Sequence, residues 1–220
     1  MNTQQVIDTI TRGGVLPIVR LPSLARAARL AQTLLEAGLT AFEVTLTSPG
    51  ALDALRSVRA GQPAFADGQA VIGAGSVVTP DQAAAAIDAG AQFVVTPVMQ
   101  PTTIAACVER GAPVIPGALT PTEIQAAWDL GASVVKVFPA HIFGPAYLKD
   151  ILAPLPHLRL LPTGGITVEN AGEYIRHGAA ALGVGSNLVS PRLVDAEDWE
   201  TLAANARAFL QAVRAARSQP

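Results

Sequence analysis

A lysine stands among apolar neighbours in Ser133-Val134-Val135-Lys136-Val137-Phe138, and a glutamate stands the same way in Ala41-Phe42-Glu43-Val44-Thr45-Leu46. Such runs read as parallel strands buried on both faces, where apolar filling is expected and a charge calls for a reason. The chain carries thirteen arginines and only two lysines, Lys136 and Lys149, so its composition favours Arg as the cation. What lysine can do and arginine cannot is lose its proton. Desolvation lowers an amine's pKa, and the neutral amine attacks carbonyl carbon. A carboxylate beside it would be a general acid/base next to a nucleophile. From these two residues alone the competing reading is a buried Lys136–Glu43 ion pair that only satisfies both charges.

Strand alternation gives Glu43, Thr45 and Thr47 one face and Phe42, Val44 and Leu46 the other. In a barrel the greasy face meets the helices, so Glu43 and Thr47 are expected to project into the same space as Lys136. Pro17-Ile18-Val19-Arg20 puts a guanidinium at the end of the first strand, able to grip a carboxylate through two parallel hydrogen bonds or to sit in a surface ion pair. Two glycine-rich segments close the second half: Leu161-Pro162-Thr163-Gly164-Gly165-Ile166 and Leu182-Gly183-Val184-Gly185-Ser186-Asn187. They follow the seventh and eighth apolar runs, where barrel enzymes bind phosphate on bare backbone N–H groups. That signal points to a phosphorylated ligand and names no reaction. His141, His157 and His177 are scattered without metal-ligand spacing, so no metal is expected.

The elements that must position these residues repeat one pattern. An Ala-rich helical stretch ends at Gly38, Gly90, Gly111, Gly131 or Gly178, and a β-branched run begins a few residues later. Adding Val15–Arg20, Ala70–Gly75 and Leu158–Pro162 gives about eight strands alternating with helices. Helix starts are expected at Pro22-Ser23, Ser48-Pro49, Thr79-Pro80 and Thr120-Pro121. Eight units with nothing left over favour a closed (β/α)8 TIM barrel over an open doubly wound sheet. Gln4–Arg12 reads as an extra N-terminal helix and Asp198–Ala216 as a closing one.

At 220 residues, one domain spanning 1–220 is the default, and half the residues are apolar with 15% charged, enough for a large core. A net charge of −2 offers no field for nucleic acid or anionic lipid, and a small-molecule ligand fits better. The single cysteine, Cys107, cannot form an internal disulfide and suits a reducing cytoplasm. No signal peptide or membrane span is read.

Taken in order, Pro17-Ile18-Val19-Arg20, Phe42-Glu43-Val44-Thr45-Leu46-Thr47, Ile72-Gly73-Ala74-Gly75-Ser76-Val77, Val95-Thr96-Pro97, Ile115-Pro116-Gly117, Val135-Lys136-Val137-Phe138-Pro139-Ala140, Pro162-Thr163-Gly164-Gly165-Ile166 and Gly183-Val184-Gly185-Ser186 resemble a known family over nearly the whole chain. It is that of the bacterial 2-keto-3-deoxy-6-phosphogluconate / 4-hydroxy-2-oxoglutarate aldolases. The resemblance implies a class I aldolase with Lys136 as Schiff-base lysine and Glu43 as general acid/base acting through a water. It implies that Arg20, Thr47 and Ser76 hold the pyruvate carboxylate and that Pro97 and Phe138 line the pocket. Thr163 falls at a substrate hydroxyl, and Gly164, Gly165 and Ser186 at the phosphate, beside Gly185 of the same segment. It implies a homotrimer needing neither metal nor organic cofactor.

Two positions depart from the family pattern. Some members carry arginine where this chain has Thr47, which leaves the carboxylate clamp to Arg20, and Ser76 replaces a usual threonine. Phe138 to Pro145 also resembles the sister 6-phosphogalactonate aldolases, which differ in configuration at C4 of the substrate. The leading expectation is reversible cleavage of a 2-keto-3-deoxy-6-phospho sugar acid to pyruvate and glyceraldehyde 3-phosphate. The shorter 4-hydroxy-2-oxoglutarate is the alternative within the class. Outside it stand a barrel isomerase using Glu43 as base, and an inactive sugar-phosphate binding module.

Overall fold

The computed structural model describes residues 1–218. Nine short strands are present: β1 (Val15–Val19), β2 (Ala41–Thr45), β3 (Val71–Gly75), β4 (Val94–Val95), β5 (Val114–Ile115), β6 (Gly117–Ala118), β7 (Val135–Val137), β8 (Leu160–Pro162) and β9 (Leu182–Val184). Every pairing is parallel. Six strands form a curled sheet in the order β5-β4-β3-β2-β1-β9, and three form a second, β6-β7-β8. Isolated parallel bridges, Leu160↔Ala179 and Thr163↔Gly183, join the β8 region to the β9 region.

The fifth of the eight expected runs, Val114-Ile115-Pro116, is split. Proline has no N–H to give a ladder, so Pro116 contributes only its carbonyl, which accepts the Lys136 N–H at 2.9 Å, and the strand is divided there, β5 pairing with β4 and β6 with β7. Hence nine strands in two sheets stand where one eight-stranded sheet was expected. Two helix starts also differ. The helix expected at Pro22-Ser23 begins at Ala27 after a turn, and Ser48 caps nothing: its Oγ accepts the Leu21 N–H at 3.0 Å, while the helix Ala51–Gly61 starts from a left-handed Gly50. Thr79 and Thr120 are true N-caps with proline next, and the five helix-ending glycines all have positive φ.

The alternation of each strand builds two apolar layers. Phe42, Val44, Ile72, Ala74, Val135 and Val137 face the helices. Leu16, Ala41, Val71, Phe93, Val95, Ile115, Val134, Leu161 and Ala181 face inward near the strand starts, against Val6, Ile7 and Ile10. Those three come from the helix Thr3–Gly13, held at its start by an Asn2–Gln5 capping box. The expected extra helix is thus the floor of the inner space. Arg217, at the end of the long helix Trp199–Arg217, pins it by donating to the carbonyls of Thr11, Arg12 and Ala180. No helix among the described residues is long and apolar enough to cross a membrane.

Candidate active site

Above that floor the inward positions change character. Two residues beyond Ala41 is Glu43, and two beyond Val134 is Lys136. Glu43 is 1% exposed and Lys136 6%. The ion-pair reading of these two fails: they are not within ion-pair distance, and neither carboxylate oxygen of Glu43 has a hydrogen-bond partner. An ionised carboxylate buried without partners is costly, which favours the protonated form over the ionised one. Burial pushes the Glu43 carboxyl above its ordinary value, and the charges of Lys136 and Arg20 oppose that shift only in part. The Lys136 ammonium lies 5.1 Å from the centre of the Phe138 ring, an apolar and weakly attractive neighbour.

Room for these side chains is made by glycines on adjacent strands. A Cβ on Gly75 would overlap the Glu43 carboxylate, and one on Gly183 would overlap the Thr163 hydroxyl. Gly117, in register with Lys136, passes so close to the Pro97 carbonyl that no side chain fits. Sequence reasoning read glycines for turns and phosphate and missed this use. Its signal was available, since Gly73 and Gly75 interrupt a strand where glycine is otherwise disfavoured.

Two cavities meet over the lysine and share Arg20, Lys136 and Phe138. One, about 530 Å³, is also lined by Leu46, Thr47, Ser76, Val78, Gln82 and Pro97. The other, about 230 Å³, is lined by Ile18, Thr163, Gly164, Gly165, Ile166, Gly183, Gly185, Ser186 and Asn187. Apart from Glu43, every residue expected at the site lies on one of them.

Arg20 is bracketed by two bonds that fix the rim. Thr45 Oγ1 donates to the Val19 carbonyl at 3.2 Å, and the Leu21 N–H goes to Ser48. An Arg20 Nη2 reaches the Ser76 hydroxyl at 3.4 Å. Ser76 has φ 58, a left-handed conformation that a non-glycine residue holds only against strain, as happens at functional sites. Thr47 was expected on the strand, but β2 ends at Thr45. Thr47 reaches the cavity from the following turn and gives its hydroxyl hydrogen to Thr45.

In the smaller cavity Thr163 Oγ1 is buried and has no partner. Among the described residues no acceptor receives the N–H groups of Gly164, Gly165, Ile166, Ser186 or Asn187. Nothing lies within 4 Å of where a Gly185 side chain would stand. Free N–H groups on bare backbone are an anion cradle. His141 stands behind this loop, its Cβ 2.6 Å from where a Gly165 Cβ would be, and it lines neither cavity. No group of three or more His, Cys, Asp or Glu among the described residues is arranged to hold a metal. Cys107 is buried, with its thiol pushed up to about 11.

The family model described as KDPG and KHG aldolase matches residues 6–205. A 2-dehydro-3-deoxy-phosphogluconate aldolase of Treponema pallidum is 37% identical over 94% of this chain and 97% of its own length. A 2-dehydro-3-deoxy-6-phosphogalactonate aldolase of Escherichia coli is also 37% identical, over 83% of this chain and 85% of its own. Among solved structures, the KDPG aldolase of Legionella pneumophila, with pyruvate captured as a covalent carbinolamine, superposes with a TM-score of 0.85. Its identity is 30%, covering 92% of this chain and 97% of that one.

Proposed function

The chain belongs to the KDPG and KHG aldolase family, and from that premise we propose that it cleaves 2-dehydro-3-deoxy-6-phosphogluconate reversibly to pyruvate and glyceraldehyde 3-phosphate through an imine on Lys136. It is an aldolase, a carbon–carbon lyase of the Schiff-base class. The observation that carries the residue assignment is the pairing of a buried lysine with a buried carboxyl that has no hydrogen-bond partner, beneath a cavity with a cation at one end and unpaired N–H groups at the other.

In this reading Arg20, Ser76 and Thr47 take the substrate carboxylate, with Pro97 and Phe138 as walls. Lys136 attacks C2, and loss of water gives an iminium whose nitrogen accepts the electron pair when the C3–C4 bond breaks. Glu43, through a water, relays the proton lost from the carbinolamine and removes the C4 hydroxyl proton as that bond opens. It then returns a proton to C3 of the enamine. Water hydrolyses the pyruvate imine and frees the amine. Thr163 contacts a substrate hydroxyl, and Gly164, Gly165, Gly185 and Ser186 hold the phosphate. Those free N–H groups favour the phosphorylated substrate over 4-hydroxy-2-oxoglutarate.

Borohydride reduction with pyruvate, followed by mass mapping, is the decisive test: a pyruvyl adduct on Lys136 is expected, and its absence sinks the assignment. The 37% identity to a phosphogalactonate aldolase makes the C4 epimer the second substrate to assay, and the ratio of kcat/KM for the two epimers assigns the preference.

The same reading extends to the architecture. The two sheets form one closed (β/α)8 barrel, supported by the single-residue break at Pro116 and the bridges from β8 to β9. The described residues, 1–218, form one domain, supported by an inner core drawn from Val6 through Ala181. A homotrimer is supported by exposed apolar side chains such as Ile142, 56% exposed, and Phe143, 55%, and light scattering reads its mass. A cytoplasmic site fits the buried free thiol of Cys107.

A further inference from the structure

Glycine solves one problem in the anion cradle and creates another. Bare backbone at Gly164 and Gly165, with φ 96 and 73, admits a phosphate closely, yet it is also the backbone with the most freedom to turn its N–H groups away. Two side-chain amides hold it. Asn170 Nδ2 donates to the Gly165 carbonyl at 2.9 Å, and Asn187 Nδ2 donates to the Ile166 carbonyl at 2.7 Å. In a planar trans peptide the C=O and the following N–H point to opposite sides. Tethering the Gly165 carbonyl therefore turns the Ile166 N–H the other way. Asn170 belongs to the first turn of the helix Val168–Arg176 and takes part in its capping box. Asn187 comes from the loop after β9, so its bond ties together the two loops whose N–H groups make the cradle.

Building on the aldolase reading, we infer that Asn187 is a positioning residue that sets the spacing of the two anion-binding loops and so governs selectivity for phosphorylated substrate. It acts through the Ile166 carbonyl rather than through the reacting atoms. A hydrogen bond of this kind, converted to affinity, corresponds to roughly a 2- to 12-fold change.

Steady-state kinetics of Asn187→Ala, and of the near-isosteric Asn187→Leu that also lacks the donor, are measured on 2-dehydro-3-deoxy-6-phosphogluconate and on its unphosphorylated counterpart. The expected result is a rise in KM for the phosphorylated substrate that exceeds the loss on the other by roughly tenfold, with kcat largely held. Equal losses on both substrates, or no change in their ratio, in variants whose thermal melting shows them folded, overturn the inference. Should both variants fail to fold, Asn187 is a fold residue and the inference is overturned as well. Borohydride trapping of wild type separates the two layers: a pyruvyl adduct on Lys136 with an unmoved ratio defeats only the tether, whereas no adduct defeats the aldolase reading and the tether with it.

Discussion

The inner space of the sheets has two ends, and two residues of strand separate them. Ala41 becomes Glu43, Val134 becomes Lys136, Leu161 becomes Thr163 and Ala181 becomes Gly183. The first of each pair belongs to the apolar floor sealed by Val6, Ile7 and Ile10, and the second reaches the zone of the cavities. Floor residues are interchangeable greasy volume whose contribution is area removed from water. The upper residues are individually wrong for a core and include buried polar atoms left without partners. Stability and chemistry thus occupy successive rungs of the same strands, so each can be perturbed with little effect on the other.

The largest effect expected is from Lys136→Met, which keeps length and loses the amine. Activity should fall by at least about 10⁴-fold with no borohydride-trapped adduct, while thermal unfolding shows stability kept or gained. Glu43→Gln should lower kcat by about 10²–10⁴ and change the pH dependence of stability. Because the folded protein holds the Glu43 proton above its ordinary value of 4.5, the native state binds more protons than the unfolded chain as pH climbs past 4.5. Glu43's contribution to stability is therefore most favourable below that pH and is lost as pH rises through the folded value. Melting curves should show the variant gaining on wild type as pH increases, and a variant that instead loses ground to wild type as pH rises contradicts the burial argument. Arg20→Ala should cost about 10- to 100-fold in kcat/KM through loss of the carboxylate grip, leaving the melting temperature nearly unchanged because the side chain is exposed. At the other end, Ile10→Ala should cost about 2–5 kcal/mol of stability, read by denaturant unfolding, with kcat within about twofold. A large kcat defect there would show that floor and site are coupled.

What the sequence disclosed follows the same division. Lys136 and Glu43 were visible because a charge in a buried strand violates an expectation, and the glycine pair because its position after a strand has a physical use. Gly38, Gly90, Gly111, Gly131 and Gly178 were legible as helix ends because left-handed backbone selects glycine. The split at Pro116 was missed because the apolar run looked continuous, although proline's lack of an N–H was there to be read. Asn170 and Asn187 were invisible as tethers, since a side chain reaching a carbonyl across a loop leaves no periodic trace in either partner. The start at Ala27 eluded pattern reading because Arg26 makes no side-chain cap.

Gly75 has a consequence for the history open to this protein. The Glu43 carboxylate lies in the volume that a Cβ at 75 would need, and because the overlap is with the end of a flexible side chain, a larger residue there displaces the carboxylate rather than breaking the strand. The two positions therefore evolve as a pair: among related sequences, those with any residue but glycine at this place should carry the acid/base in another orientation or have lost it.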